Sequence, residues 1–163
     1  MKLLIICMAL LFMNQQSDPM KEIRKNDMSV KWKTEKDIIY FEMQAPTVGW
    51  VAIGFNEMAS LTGTYLLMGR IRDGRVEVIE HYIDKPGSYR PITDYGISSR
   101  TKAITGTESG DFTRLKFSLP VAAASKYHKE LLPGTKWTLL LAFSLADDFQ
   151  HHSIMRTSLE IKL

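Results

Sequence analysis

From Asp27 onward the apolar residues recur at every second position. Val30 and Trp32 alternate with polar Ser29, Lys31 and Lys33, and Ile39, Phe41 and Met43 alternate with Tyr40, Glu42 and Gln44. A period of two sends successive side chains to opposite faces of a strand, so both segments read as half-buried strands. Trp50 to Phe55 (WVAIGF) is apolar on both faces, which suits a central strand. Thr64 to Ile71 and Val76 to Ile83 are predicted strands joined across Asp73-Gly74. An Asp-Gly pair between β-rich runs signals a hairpin, because a type I′ turn needs positive φ at both central residues.

The stretch from Asp84 to Arg100 carries Pro86, Gly87, Pro91 and Gly96 among scattered polar residues, and reads as a long loop. Long loops in compact domains tend to be functional. Thr101 to Thr107, Phe112 to Leu119, Lys136 to Ser144 and Met155 to Leu163 are further predicted strands, and Ala122 to Leu132 a short helix ending near Pro133-Gly134. Short strands separated by turn signals, without helix–strand alternation, predict an all-β chain. The expectation is an antiparallel, immunoglobulin-like β-sandwich of about 8–11 strands with at most a short helix.

The amino terminus follows a different pattern. Met1 and Lys2 precede the apolar run Leu3 to Met13, and polar Asn14, Gln15, Gln16 and Ser17 follow it. That layout predicts a signal peptide over residues 1–17, cut between Asn14 and Pro19. A membrane-crossing helix needs about 20 apolar residues, so the run is too short for one. Residues 18–27, with Lys21, Arg24 and Lys25, read as a solvated linker, and residues 28–163 as one domain. The chain is therefore expected to be secreted or periplasmic, with no transmembrane segment after the signal. Its one cysteine, Cys7, lies inside the signal, so the remaining chain of about 145 residues, enough for one domain, must draw its stability from a hydrophobic core. The 21 basic and 18 acidic residues are too evenly balanced to suggest nucleic acid as a partner.

No nucleophile elbow, phosphate loop, H-E-x-x-H or paired C-x-x-C occurs, which argues against a hydrolase or NTPase. The densest chemical cluster is Asp147-Asp148-Phe149-Gln150-His151-His152, between the last two strands. Imidazoles there could ligate a metal or haem iron, or could simply face solvent in a polar loop. Met58, in the loop Asn56 to Gly63, offers a thioether, a known axial ligand of haem iron. His81 reads as a partly buried, hydrogen-bonded strand residue, and His128 as solvent surface.

Several of these segments together resemble the DOMON domain, the β-sandwich of dopamine β-monooxygenase relatives and extracellular cytochromes. The resemblance runs through Gly49-Trp50-Val51-Ala52-Ile53-Gly54-Phe55-Asn56 and Leu61-Thr62-Gly63-Thr64, then Leu66-Leu67-Met68-Gly69. It continues through Asp73-Gly74, Val78 to Tyr82, Pro91, Thr113 to Ser118 and His151-His152-Ser153, essentially the whole chain after the signal. Some DOMON domains bind b-type haem between a methionine after the G-W-V-A strand and a histidine near the carboxyl end. Others are thought to bind sugars or other small ligands. Carried over, the histidine is His152 or His151, with His152 nearer the last strand. The methionine position falls on Leu61, which cannot ligate iron, so the resemblance passes that role to Met58.

The leading expectation from this resemblance is haem b held between His152 or His151 and Met58. Its pocket would be lined by Trp50, Phe55, Leu61 and Tyr65, and electrons would pass to or from a separate redox partner protein. The alternative is a haem-free module for a carbohydrate or other small ligand, with Trp50, Tyr89 and Tyr95 as aromatic faces. A third reading is a Zn²⁺ or Cu²⁺ site at Asp147, Asp148, His151 and His152. None of these makes the chain a self-sufficient catalyst.

Overall fold

The computed structural model describes residues 19–163, so the expected signal peptide lies outside the described residues. The strands are β1 (Lys21–Lys25), β2 (Met28–Glu35), β3 (Ile38–Ala45), β4 (Val51–Asn56), β5 (Tyr65–Arg72) and β6 (Arg75–Lys85). They continue as β7 (Ser88–Pro91), β8 (Lys102–Ser109), β9 (Phe112–Pro120), β10 (Lys136–Phe143) and β11 (Met155–Lys162). One sheet has the order β1-β2-β3-β9-β8 and the other β11-β10-β4-β5-β6-β7. Neighbouring strands pair antiparallel throughout, giving the all-β sandwich that the alternation predicts. Among the described residues no helix is long and apolar enough to cross a membrane.

The alternating residues meet between the sheets. Trp32, Phe41 and Phe117 of the first sheet bury against Phe55, Leu139 and Leu141 of the second. Phe41 stands 5.6 Å from both Phe55 and Phe117, and Phe55 meets the edge of Trp137 at 6.2 Å. Each fully buried side chain of this size contributes roughly 1.5–3 kcal/mol of transfer free energy, and aromatic pairs add about 0.5–1.5 kcal/mol. The predicted β5–β6 hairpin closes on Asp73 (φ 50°) and Gly74 (φ 71°), both left-handed as a type I′ turn requires.

Three segments differ from the sequence reading. Within the expected linker, Lys21 to Lys25 form β1, paired with β2 across a turn whose Asn26 and Asp27 have φ of 48° and 63°. Its charged composition suits an edge strand as well as a linker, and Asn and Asp tolerate positive φ. The expected helix at 122–132 is a series of turns. Helix propensity in Ala122, Ala123 and Ala124 is overridden by anchors at both ends. The Val121 N–H bonds Asp37 O (2.9 Å), the Leu131 N–H bonds Val121 O (2.8 Å), and His128 and Leu131 are buried. The long loop at 84–100 is shorter than expected. β6 runs on to Lys85 and pairs with β7, and a 3-10 turn follows over Ile92–Tyr95.

Candidate ligand-binding cleft

Strand β4 is buried on both faces, and the two faces do different work. Val51, Ile53 and Phe55 point into the core between the sheets. Ala52 points outward, where it joins Leu66 and Met68 of β5, Ala142 of β10, and Trp50 in a second apolar cluster on the outer surface of the six-stranded sheet. Part of this outer face is covered by the segment between β10 and β11, whose Phe149 belongs to the same cluster. What remains open is a cleft of about 360 Å³. Its floor is Ala52, Leu66, Met68 and Ala142, its walls include Trp50, Leu61 and Tyr89, and its rim is Gln150 to Ser153. Size and lining match small-molecule sites, which are mostly apolar with a few placed polar groups. The buried indole N–H of Trp50 has no acceptor among the described residues.

The rim segment is tied down along its length. At its root the Ser144 N–H bonds Trp50 O (3.0 Å), and the Trp50 N–H bonds Ala146 O (3.1 Å). Gly49 belongs to this junction, because a Cβ there would lie 2.4 Å from Ser144 O. Midway, Arg70 Nη1 donates to Asp147 O (2.6 Å), the Arg70 guanidinium lies 4.2 Å from the Phe149 ring centroid, and the Tyr89 hydroxyl donates to Phe149 O. At the far end Ser144 Oγ donates to His152 O (3.0 Å), and the Ile154 N–H bonds Phe143 O (2.9 Å). His151 and His152 are both exposed, yet they project from a backbone held on either side. Under Phe149 lies His81, buried at the edges of Tyr89 and Phe149, with Nδ1 3.1 Å from Ile79 O. Burial holds its imidazole below the usual 6.5.

Of the residues expected to form the site, Trp50, Leu61, His151 and His152 line this one cleft. Phe55 and Tyr65 do not. Both are completely buried on the inner face, because alternation along β4 and β5 turns them away from Ala52 and Leu66. Met58 is 66% exposed and stands outside the cleft lining, so its thioether is not presented to the cleft. The methionine that does line the cleft is Met68, hidden in the sequence within an apolar strand that gave no reason to single it out. Tyr89 lines the cleft, whereas Tyr95 stacks on Tyr127 at 4.2 Å and bonds Asp84. Asp147, Asp148, His151 and His152 do not converge, and among the described residues no three His, Cys, Asp or Glu side chains are grouped to hold a metal ion.

A second polar cluster lies between the sheets. Glu80 is completely buried. Its Oε1 accepts Ser99 Oγ (2.9 Å) and the N–H groups of Arg100 and Thr101, and its Oε2 accepts the Tyr65 hydroxyl. His128 Nε2 stands 3.3 Å from Oε2, and His128 Nδ1 is 2.8 Å from Ser125 Oγ. His128, expected at the surface, is thus a core residue that pins the 122–132 turns. The cluster has the residue types of an acid–base site but is sealed from solvent, so it holds the fold together rather than meeting a ligand.

The comparisons with known proteins agree with this architecture. The chain is similar to the cytochrome b domain of pyranose dehydrogenase from Coprinopsis cinerea, with a TM-score of 0.65 at 11% identity, over 88% of this chain and 81% of that one. It is also similar to the cytochrome domain of Myriococcum thermophilum cellobiose dehydrogenase, with a TM-score of 0.61 at 10% identity and the same coverage. MOXD1 homolog 2 of Drosophila melanogaster is 25% identical over 129 residues, which are 79% of this chain but only 17% of that protein. The family profile of the DOMON domain matches residues 24–144, ending at the root of the histidine segment. The chain belongs to the DOMON domain family.

Proposed function

We propose that the outer-face cleft is the ligand site of an exported DOMON domain, that its ligand is haem b, and that the domain exchanges electrons with a separate redox partner. The observation that carries this reading is one apolar cleft lined by Trp50, Leu66 and Met68, with two histidines on its tethered rim. Export rests on the apolar run Leu3 to Met13.

The donor chemistry fits an iron porphyrin. His152 or His151 would supply an imidazole from the rim, and Met68 is the cleft-lining methionine that could supply a thioether from the floor. Met68 takes this role in place of Met58, and Leu61 contributes apolar wall only. Bound there, the group would supply a one-electron couple. Trp50, Leu66 and Leu61 would exclude water from the macrocycle, and the bonds from Ser144 and Arg70 would hold the rim histidines in place.

The test is a visible absorption spectrum of the purified protein, oxidised and reduced, with and without added hemin. A sharp Soret band is expected, altered by His152→Ala or His151→Ala and by Met68→Leu, and untouched by Met58→Leu. No Soret band with hemin would overturn the haem reading. The alternative, a sugar or other colourless small ligand, is favoured by Trp50 and Tyr89 in the walls of this cleft and by a hydroxyl-lined cavity beside it.

A further inference from the structure

A second cavity, of about 260 Å³, adjoins the cleft on the same sheet face and shares Leu61, Leu140 and Arg156 with it. Its character is different. Ser60, Thr138, Thr157 and Ser158 line it, where the cleft proper is largely apolar. The register explains the neighbourhood. Ser158 lies opposite Leu140 and Arg156 opposite Ala142, which puts Arg156 and Ser158 on the outer face of β11. Among the described residues that line either cavity, Arg156 alone carries a fixed charge and none is a carboxylate.

Arg156 is also unengaged. It makes no hydrogen bond or ion pair with any described residue, whereas Arg70 is held by Glu77, Arg90 by Asp84 and Arg114 by Gln44 and Glu42. Neither Thr138 nor Ser158 spends its hydroxyl on another described residue. A guanidinium is a rigid fork of donors suited to carboxylates, and here hydroxyl groups stand beside it.

We infer that Arg156 anchors a carboxylate of the ligand, so that the paired cavities take an amphipathic acid, its apolar body over Met68 and Leu66 and its anionic end at Arg156. This rests on the reading of the cleft as the ligand site. The polar cavity is then the anionic end of one continuous site, and a neutral apolar molecule of the same shape is the poorer ligand. The expected preference is modest, because Arg156 is exposed and part of its charge is screened by solvent.

The experiment is a fluorescence titration of the protein with protoporphyrin IX and, separately, with its dimethyl ester, which keeps the macrocycle and loses both charges. The wild-type chain is expected to bind the free acid about five- to tenfold more tightly than the ester. Arg156→Gln should erase that difference by weakening the acid alone, Arg156→Lys should keep part of it, and added salt should reduce it. Equal affinity for acid and ester in the wild type, or equal weakening of both by Arg156→Gln, overturns the assignment to Arg156 while the cleft reading stands. Failure of the wild-type chain to bind either porphyrin overturns the haem reading and this inference with it.

Discussion

Glu80 shows how a fully buried carboxylate is kept charged. Burial pushes its carboxyl up, but the contacts with His128, Tyr65, the Arg100 N–H and Ser99 outweigh that and bring it down from 4.5 to about 2. A carboxylate whose folded value is lowered stabilises the fold above its unfolded value and loses that contribution as the pH falls. For Glu80 the loss therefore runs from about pH 4.5 down to about pH 2. Glu80→Gln keeps the shape but leaves His128 and the N–H donors with a neutral partner. The expected cost at neutral pH is roughly 2–4 kcal/mol, with a flatter fall in stability on acidification. Denaturant unfolding at stepped pH measures both, and parallel pH slopes in the variant and the wild type would show that Glu80 is not the group responsible.

At the scale of the element, the segment from Ser144 to Ile154 carries the rim of the cleft, Gln150 to Ser153. Ser144 is completely buried, and its hydroxyl donates to His152 O (3.0 Å) and accepts the Ala146 N–H (3.3 Å). Ser144→Ala removes both bonds at about 1 kcal/mol each, a cost that falls on the segment rather than on the sheets. Amide exchange at His151 to Ile154 is expected to quicken by roughly fivefold or more, and hemin affinity to fall, while the strands keep their protection. Faster exchange spread evenly over both sheets would mean that the hydroxyl supports the whole fold instead. This is also where sequence reading reached its limit. Alternation in β2, β3 and β9 told inside from outside because one face of each is polar. In WVAIGF it could not, since the rim segment and Trp50 bury the second face as well. Phe55 and Tyr65 therefore face away from the pocket expected of them, and nothing in the apolar run of β5 marks Met68 as a cleft residue. The burial of His128, expected at the surface, is hidden for a related reason, because irregular backbone carries no period to reveal it.

At the scale of the whole molecule, the larger sheet has two apolar faces and only one packs against another sheet. The core lies on one side and the proposed ligand on the other, separated by a single layer of backbone. The sandwich needs no ligand to complete its core, so binding should add stability to a chain already folded. At free hemin one hundred times the dissociation constant the gain is about 2.7 kcal/mol, a rise of roughly 5–10 °C in Tm for a domain of this size. The separation of the faces makes a sharper demand. Phe55→Leu loosens contacts with Phe41 and Trp137 on the inner face, at a cost of about 1–3 kcal/mol. Because Phe55 points away from the cleft, its loss should lower Tm while leaving the hemin-induced increment and the affinity at 25 °C near their wild-type values. Met68→Ala, on the opposite face of the same sheet, should reduce the increment. If Phe55→Leu abolished binding in a chain still folded at the temperature of measurement, the site would lie between the sheets, and the outer cleft would lose its claim to the ligand.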